Sequence, residues 1–449
     1  MEVIVNLVPN FAVIFQIAFL FITKGGWVLF VIGLIYMLWR MYYTEIRHQY
    51  VHNQEWIFLS IKVPRENLVS TMAVDTIFTH MHALHSSKTF AETYMEGHDQ
   101  LWYSLEIVSL GGKISFVLRI PKNAKNLVEA AFYSHYPQAE INVVNDYLEN
   151  VHYDPETSTD IDVFGTEWKL EEDDVFPLKT FRDFEHPAAE ETIIDPLANL
   201  FESLTKIEPH ELFAIQIIIQ PLGDNEWKPR AERKVKELIG EELPHTVGFL
   251  DILLAPFNWF AKFSYKDALL GGGHGHGHEE EKAQKNNWMS LTETEKERVT
   301  LVEKKMSKPG YRTKIRFLYI APKNNFDLTK RGIFIGAYRQ MGSAMSNKLK
   351  PETNRTWTGL TYKFSKELEA PYMDYVLKIR KRRIFKGFKD RDIHLGMPMF
   401  ILNTEEVSTL YHFPITTKTT MAPSAIEKTD SKKSQPPVDL PLAGPDSGF

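Results

Sequence analysis

The amino-acid sequence predicts an α+β protein: an N-terminal transmembrane helix followed by two ferredoxin-like (split βαβ) modules, the second with a long insertion. Three observations carry this. A single strongly hydrophobic stretch stands at 11–39, while the rest of the 449 residues has an ordinary soluble composition. Residues 55–147 alternate between strand and helix periodicities in the order β-α-β-β-α-β. A related order of elements returns after residue 190.

The hydrophobic stretch has Lys24 as its only charge and is followed by Arg40, Arg47 and His48. Residues 26–43 come close to the ~20 apolar residues that span a bilayer. Trp27 at one end and Trp39 at the other suit the two interfaces, with Arg40 just beyond. Residues 11–22 are short for a span and read as an interfacial or re-entrant segment, or as one arm of a hairpin. A signal peptide is the rival reading, weakened by the lack of a basic leader and of a small-residue cleavage site. The cations follow the span, so the soluble body is expected in the cytoplasm.

Residues 56–63 alternate like a strand and stop at Pro64; 69–85 carry Val69, Met72, Ala73, Ile77 and Met81 at helical spacing. Strands at 101–110 and 113–120 flank the turn Gly111-Gly112. A helix at 124–136 ends at Pro137, and 139–147 closes the first module. Residues 151–192 hold thirteen Asp or Glu against three Lys or Arg, which reads as a solvated connector with one strand near 166–170, or as an acidic docking surface. The second module is expected to comprise a helix at 190–206, an apolar strand at 211–221, a charged helix at 225–240, a strand at 311–321, a helix at 325–348 and a strand at 356–364. Its insertion, 241–308, contains an apolar piece at 247–263, read as core or as a membrane-surface hairpin, and a charged helix at 290–307. The chain thus divides into an anchor and juxtamembrane helix (1–50), a first module (51–150), an acidic connector (151–189), a second module (190–414) and a Pro/Ser-rich tail (415–449) that is disordered by composition.

With no cysteine, the chain forms no disulfide, thiolate metal site or Cys nucleophile, and its net charge of −6 does not mark a polyanion binder. GxxxxGK[ST], HExxH and GxSxG are all absent, and Gly271-Gly272-Gly273 lacks the Lys and Ser/Thr that cradle phosphate. His274, His276 and His278 alternate with glycine. That spacing makes a flexible chelating tract for Zn²⁺ or Ni²⁺ or, more simply, a solvated loop. Lys378, Arg380, Lys381, Arg382, Arg383, Lys386, Lys389 and Arg391 form a dense basic cluster. It suits nucleic-acid phosphates, anionic lipid or an acidic partner, or is an ordinary charged helix face.

Residues 120–141, IPKNAKNLVEAAFYSHYPQAEI, and the pair Asn403-Thr404-Glu405-Glu406-Val407 and Leu410-Tyr411-His412-Phe413-Pro414 carry a more specific signal. They resemble the pre-motor module that precedes the ATPase domain in conjugation-type, type IV secretion ATPases of candidate-phylum bacteria, within the wider HerA/FtsK-like motor family. The Pro-rich tail 435–441 resembles the link leading into that ATPase. The sequence stops where the motor would begin, which fits a standalone subunit whose ATPase is a separate polypeptide or a piece of a longer protein; the resemblance covers roughly 27–441. It implies a non-catalytic, cofactor-free subunit of a DNA or protein transfer apparatus at the bacterial inner membrane. It further implies self-assembly within a larger complex and docking of a separate motor ATPase through Glu405, His412, Phe413 and Pro414. A membrane-tethered nucleic-acid adaptor using 378–391 is the alternative.

Overall fold

The computed structural model describes residues 23, 27–64, 67, 69–184, 195–241, 291–359 and 365–415. Its centre is one antiparallel sheet of nine strands. The elements run α1 (Trp27–His52), β1 (Trp56–Lys62), α2 (Thr71–His82), α3 (Phe90–Tyr94), β2 (Tyr103–Leu110), β3 (Lys113–Pro121), α4 (Lys125–His135), β4 (Glu140–Val144), β5 (Ile161–Leu170), α5 (Ala198–Leu204), β6 (Leu212–Leu222), α6 (Asp224–Ile239), α7 (Glu293–Met306), β7 (Gly310–Pro322), α8 (Arg331–Arg339), β8 (Leu349–Pro351), α9 (Lys366–Asp390), β9 (Phe400–Asn403) and α10 (Thr404–Leu410).

The N-terminal transmembrane helix expected from sequence is not there: among the described residues, no helix is long and apolar enough to cross a membrane. The reason lies in α1. Its apolar run 27–39 gives about 20 Å of helix at ~1.5 Å per residue, against ~30 Å of hydrocarbon. From Arg40 onward the helix turns polar and fastens onto the folded body. The segment 11–22 lies outside the described residues, as do 247–263 and the tail from 416.

The strand order is β4-β1-β3-β2-β6-β7-β5-β8, with β9 also pairing β7. Each half has its first strand between its fourth and third, the 4-1-3-2 order that a β-α-β-β-α-β chain adopts. Two differences from the sequence expectation follow. The halves are not separate modules, because the second strand of each, β2 and β6, pair along the whole of β2 from Tyr103↔Ile219 to Leu110↔Leu212. The second half also begins at β5, inside the stretch read as connector. β5 carries enough apolar side chains on both faces (Val163, Phe164, Trp168) to be buried between β7 and β8. The edge strand β8 is short and stands at 349–351, upstream of the expected 356–364.

Local chemistry explains the framework. Gly111 and Gly112 both take positive φ (55° and 80°), which a two-residue hairpin loop between right-twisted strands requires. β6 reads as a continuous apolar run, and every residue in it is buried, because helices cover both sheet faces. One face meets α2, α4, α5, α8 and α10 through the main core, with Leu105, Ile107, Ile215, Ile217, Ile315 and Phe317 pointing into it. The other face carries Val108, Val117, Ala214 and Leu318 against Phe385 and Phe388 of α9.

Across that second face runs a row of polar residues in register. Glu106 of β2 lies opposite Gln216 of β6, Gln216 opposite Arg316 of β7, and Arg316 opposite Glu167 of β5. All four are buried, and they bolt α9 to the sheet. Gln216 donates to the Phe388 carbonyl (2.9 Å), Arg316 donates to the Gly387 carbonyl (2.8 Å), and Arg391 at the end of α9 reaches Glu106 (3.0 Å).

Candidate functional site

The exposed feature that the body leaves uncovered is α1. Its first four turns present large apolar side chains on every side, Phe30 at 74% and Ile35 at 60% exposed among them. Trp27 and Trp39 belong to this surface, and Arg40 sits at its end, within 3.4 Å of the Tyr36 hydroxyl on the same helix. The second half of α1 is held firmly. The ring of Trp39 stacks on Tyr94 (6.1 Å between centroids), Tyr43 meets the same Tyr94 (5.3 Å), and Tyr50 packs on His98 (4.6 Å). Arg47 pairs with Asp99. The apolar surface continues from α1 over α3, where Phe90 packs on Tyr94 and stays exposed, with Met95 beside it. α1 is therefore an arm with a fixed base and an apolar shaft.

The basic cluster does not stand as a patch. Lys378 pairs with Asp374 (3.1 Å), Lys381 with Asp162 (2.6 Å), and Arg382 with Asp154 (3.1 Å) and Glu156 (3.6 Å). Lys389 donates to the Val151 carbonyl (2.8 Å), and Arg380 donates to those of Asn354 and Trp357. Arg391 is 1% exposed and sits between Glu106 and Asp146. Burial opposes its charge, but Glu106, Tyr147 and Asp146 together outweigh burial and raise its pKa; burial likewise opposes the charge of Glu106, which Arg391, with Ser104 and Tyr147, holds below its usual range. Only Arg383 and Lys386 of the eight make no ion pair or hydrogen bond through their charged groups with the described residues. The acidic segment 151–162 is thus the partner of the basic helix within the same chain.

The residues expected to dock a partner are core. Asn403 caps α10 by accepting from the Glu406 backbone N–H (2.9 Å), and Glu406 accepts in return from Asn403 N–H (2.8 Å), a capping box. Glu406 is fully buried against Lys305 (3.0 Å); burial pushes both groups toward their neutral forms. Glu405 is buried and pairs with Arg182 (2.9 Å) and Lys308 (3.4 Å). His412 is buried between Asp195 (2.9 Å) and the Ser408 carbonyl (3.0 Å). Phe413 packs among Phe116 (4.8 Å), Tyr136 (5.2 Å) and Phe132 (6.2 Å), while the Pro414 carbonyl accepts from Asn67 (3.1 Å). The two stretches that carry the sequence resemblance therefore meet in the core, at Tyr136 and Phe413. His274, His276 and His278 lie outside the described residues, and among the described residues no group of three or more His, Cys, Asp or Glu is placed to hold a metal.

Two clefts were not anticipated. The larger, about 740 Å³, lies beside the base of α1 and is lined by His82, Lys88, Asp99, Glu226, Lys308 and Arg312, among others. Its charges satisfy one another: Arg312 pairs with Glu226 (2.8 Å) and Lys308 with Asp75 (2.7 Å). His82 is held neutral by burial, with its Nε2 3.0 Å from the Leu222 carbonyl oxygen. The smaller, about 390 Å³, opens between α9 and the 355–356 segment, with Arg355, Arg380 and Arg383 around it and Glu167 at its back. Of the polar row that crosses the sheet, Glu167 lines this cleft, and the sequence signal for that row was the placing of Glu106, Gln216, Arg316 and Glu167 within strands. It was unreadable until pairing aligned them.

A family description, Domain of unknown function (DUF8128), matches residues 43–422. No curated protein matches the chain.

Proposed function

The chain belongs to the DUF8128 family, and on that footing we propose that it is a docking subunit whose apolar arm α1 seats in a partner protein. The partner is a separate motor ATPase of a transfer apparatus of the type IV secretion or conjugation kind. The observation that carries this reading is the exposed shaft of α1, rigidly mounted through Trp39, Tyr43, Arg47 and Tyr50. An exposed apolar patch beyond a few hundred Å² marks an interaction site. Residues 27–42 form a cylinder about 24 Å long and ~10 Å across, on the order of 700 Å²; a standard protein interface buries ~800 Å² on each side. Because the apolar side chains run round the whole circumference, the occupant is a socket that surrounds the helix, and a flat partner surface would cover only one side of it. The transfer-apparatus part of the reading rests on the resemblance of 120–141 and 403–414, whose role here is to build the core.

The test uses the full chain as bait and asks whether a motor ATPase carrying a Walker A motif co-purifies with it. Wild-type chain is expected to co-purify with that ATPase and to hydrolyse no ATP alone. The double substitution Phe30→Glu, Ile35→Glu is expected to abolish co-purification while leaving the thermal melt of the body unchanged, since both side chains are exposed. Equal capture by the variant, or ATP turnover by the purified chain, overturns the proposal. So does loss in the variant of self-association or vesicle binding alone, which would assign the arm to a second copy or to lipid.

A further inference from the structure

The cleft beside α9 carries an inference independent of the docking arm. We propose that it binds a small phosphate ester, with the phosphate held by Arg355, Arg380 and Arg383 and the organic part lying on Val376, Ile379, Ile384 and Leu395, all of which line it.

The charge balance comes first. Glu167 is the carboxylate at the back of the cleft, and its charge is already taken. Arg316 donates to it at 2.7 Å, both groups are 1% exposed, and the backbone N–H of Met397 donates to its second oxygen. Gly396 makes this closure possible: its φ of +99° and the direct approach of its Cα to the Glu167 carboxylate leave no room for a side chain. The three arginines at the mouth are therefore not neutralised from within. Arg380 spends part of its guanidinium on the Asn354 and Trp357 carbonyls, which fixes its position. The guanidinium groups of Arg355 and Arg383 make no ion pair or hydrogen bond with the described residues, whereas Lys378, Arg380, Lys381, Arg382 and Lys389 of α9 are each met within the chain. Two uncommitted arginines facing one cleft beside a third that is pre-positioned form an anion site in which little ordering entropy remains to be lost.

The ligand class follows from charge and shape. A phosphate monoester carries close to two negative charges and three acceptor oxygens at neutral pH, which matches three guanidinium groups. A carboxylate, with one charge and two oxygens, is satisfied by a single arginine. The aliphatic lining gives the organic part a dry wall, and about 390 Å³ is the size of a small-molecule site. A phosphodiester strand needs an open groove with a cation at each step, and Lys378, Lys381 and Arg382 of α9 are already paired within the chain.

Isothermal titration of the full chain with phenyl phosphate, inorganic phosphate and benzoate tests this. Phenyl phosphate is expected to bind at least about tenfold more tightly than inorganic phosphate, because burying a ring is worth more than one factor of ten, and benzoate is expected to bind more weakly than either. Arg355→Gln and Arg383→Gln are each expected to weaken phenyl phosphate about tenfold or more with unchanged thermal melts. Arg382→Gln, one position along the helix and paired outward with Asp154, is expected to bind as wild type. No binding of phenyl phosphate, equal affinity for phenyl phosphate and inorganic phosphate, or a loss at Arg382→Gln equal to that at Arg383→Gln would each overturn the assignment.

Discussion

Lys314 shows how a single residue can carry a measurable signature of this fold. It lies on β7, on the face covered by α9, and its ammonium donates to the carbonyls of Ile393 (2.6 Å) and Leu395 (2.9 Å). Burial, and secondarily the neighbouring Arg316, lower its pKa to about 8. The unfolded chain holds that proton up to about pH 10.5, so between about 8 and 10.5 the unfolded state binds more protons and native stability rises with pH. The full span is worth on the order of 3 kcal/mol. Below about pH 8 both states are charged and the contribution is flat. Urea midpoints of wild type and Lys314→Met at pH 7, 8, 9 and 10 are expected to diverge in favour of wild type as pH climbs through this window; a constant difference would refute the assignment. Residues of this kind are hard to read in one dimension. The capping box of Asn403 and Glu406 is visible as a spacing, but nothing in the spacing of His412, Phe413 and Pro414 distinguishes a core wedge from a docking tip. The partners that bury them, Asp195, Phe116 and Tyr136, are far away in the chain.

At the scale of the element, α9 has the composition of a nucleic-acid-binding helix and the environment of a structural strut. Its cations are met by Asp154, Glu156 and Asp162, which leave few free for phosphate. A helix engaging phosphates with all eight cations would give a log–log salt slope near −7; the uncommitted Arg355, Arg383 and Lys386 support no slope steeper than about −3. Filter binding of single- and double-stranded DNA between 50 and 200 mM salt, a range over which steep binders lose ~1000-fold or more, is expected to show weak affinity with the shallow slope. α1 makes the converse point. Its apolar first half reads as a membrane span because hydropathy registers composition. What ends that reading is the tertiary attachment of its second half through Arg47, Tyr43 and Tyr50.

At the scale of the whole molecule, the decisive contact is the seam between β2 and β6. It turns two four-stranded units into one sheet and lets a single core run beneath both. Ile217 is fully buried on that seam, with Leu105 opposite it on β2 and Ile315 on β7. Ile217→Ala is expected to cost about 2–5 kcal/mol, and both wild type and variant are expected to unfold in one transition, with far-ultraviolet dichroism and tryptophan fluorescence superimposing. Two resolved transitions would show that the halves fold separately. β9 completes the design: it pairs Gly310–Thr313 of β7, beyond the stretch that β5 covers, and so brings α10 under the sheet.

The sequence by itself determined the elements whose signal is local: the alternation in β1 and β2, the Gly111-Gly112 turn, and the helical spacing of α2 and α4. These depend on periodicity and on backbone preference within a few residues. Only the tertiary structure decided that the acidic segment neutralises the basic helix, that the 403–414 motif is core, that β5 opens the second half, and that α1 is an arm mounted on the body. Each of those facts is a pairing between segments distant in the chain. Hydrogen-bond register and charge complementarity across such distances exist only once the sheet has formed.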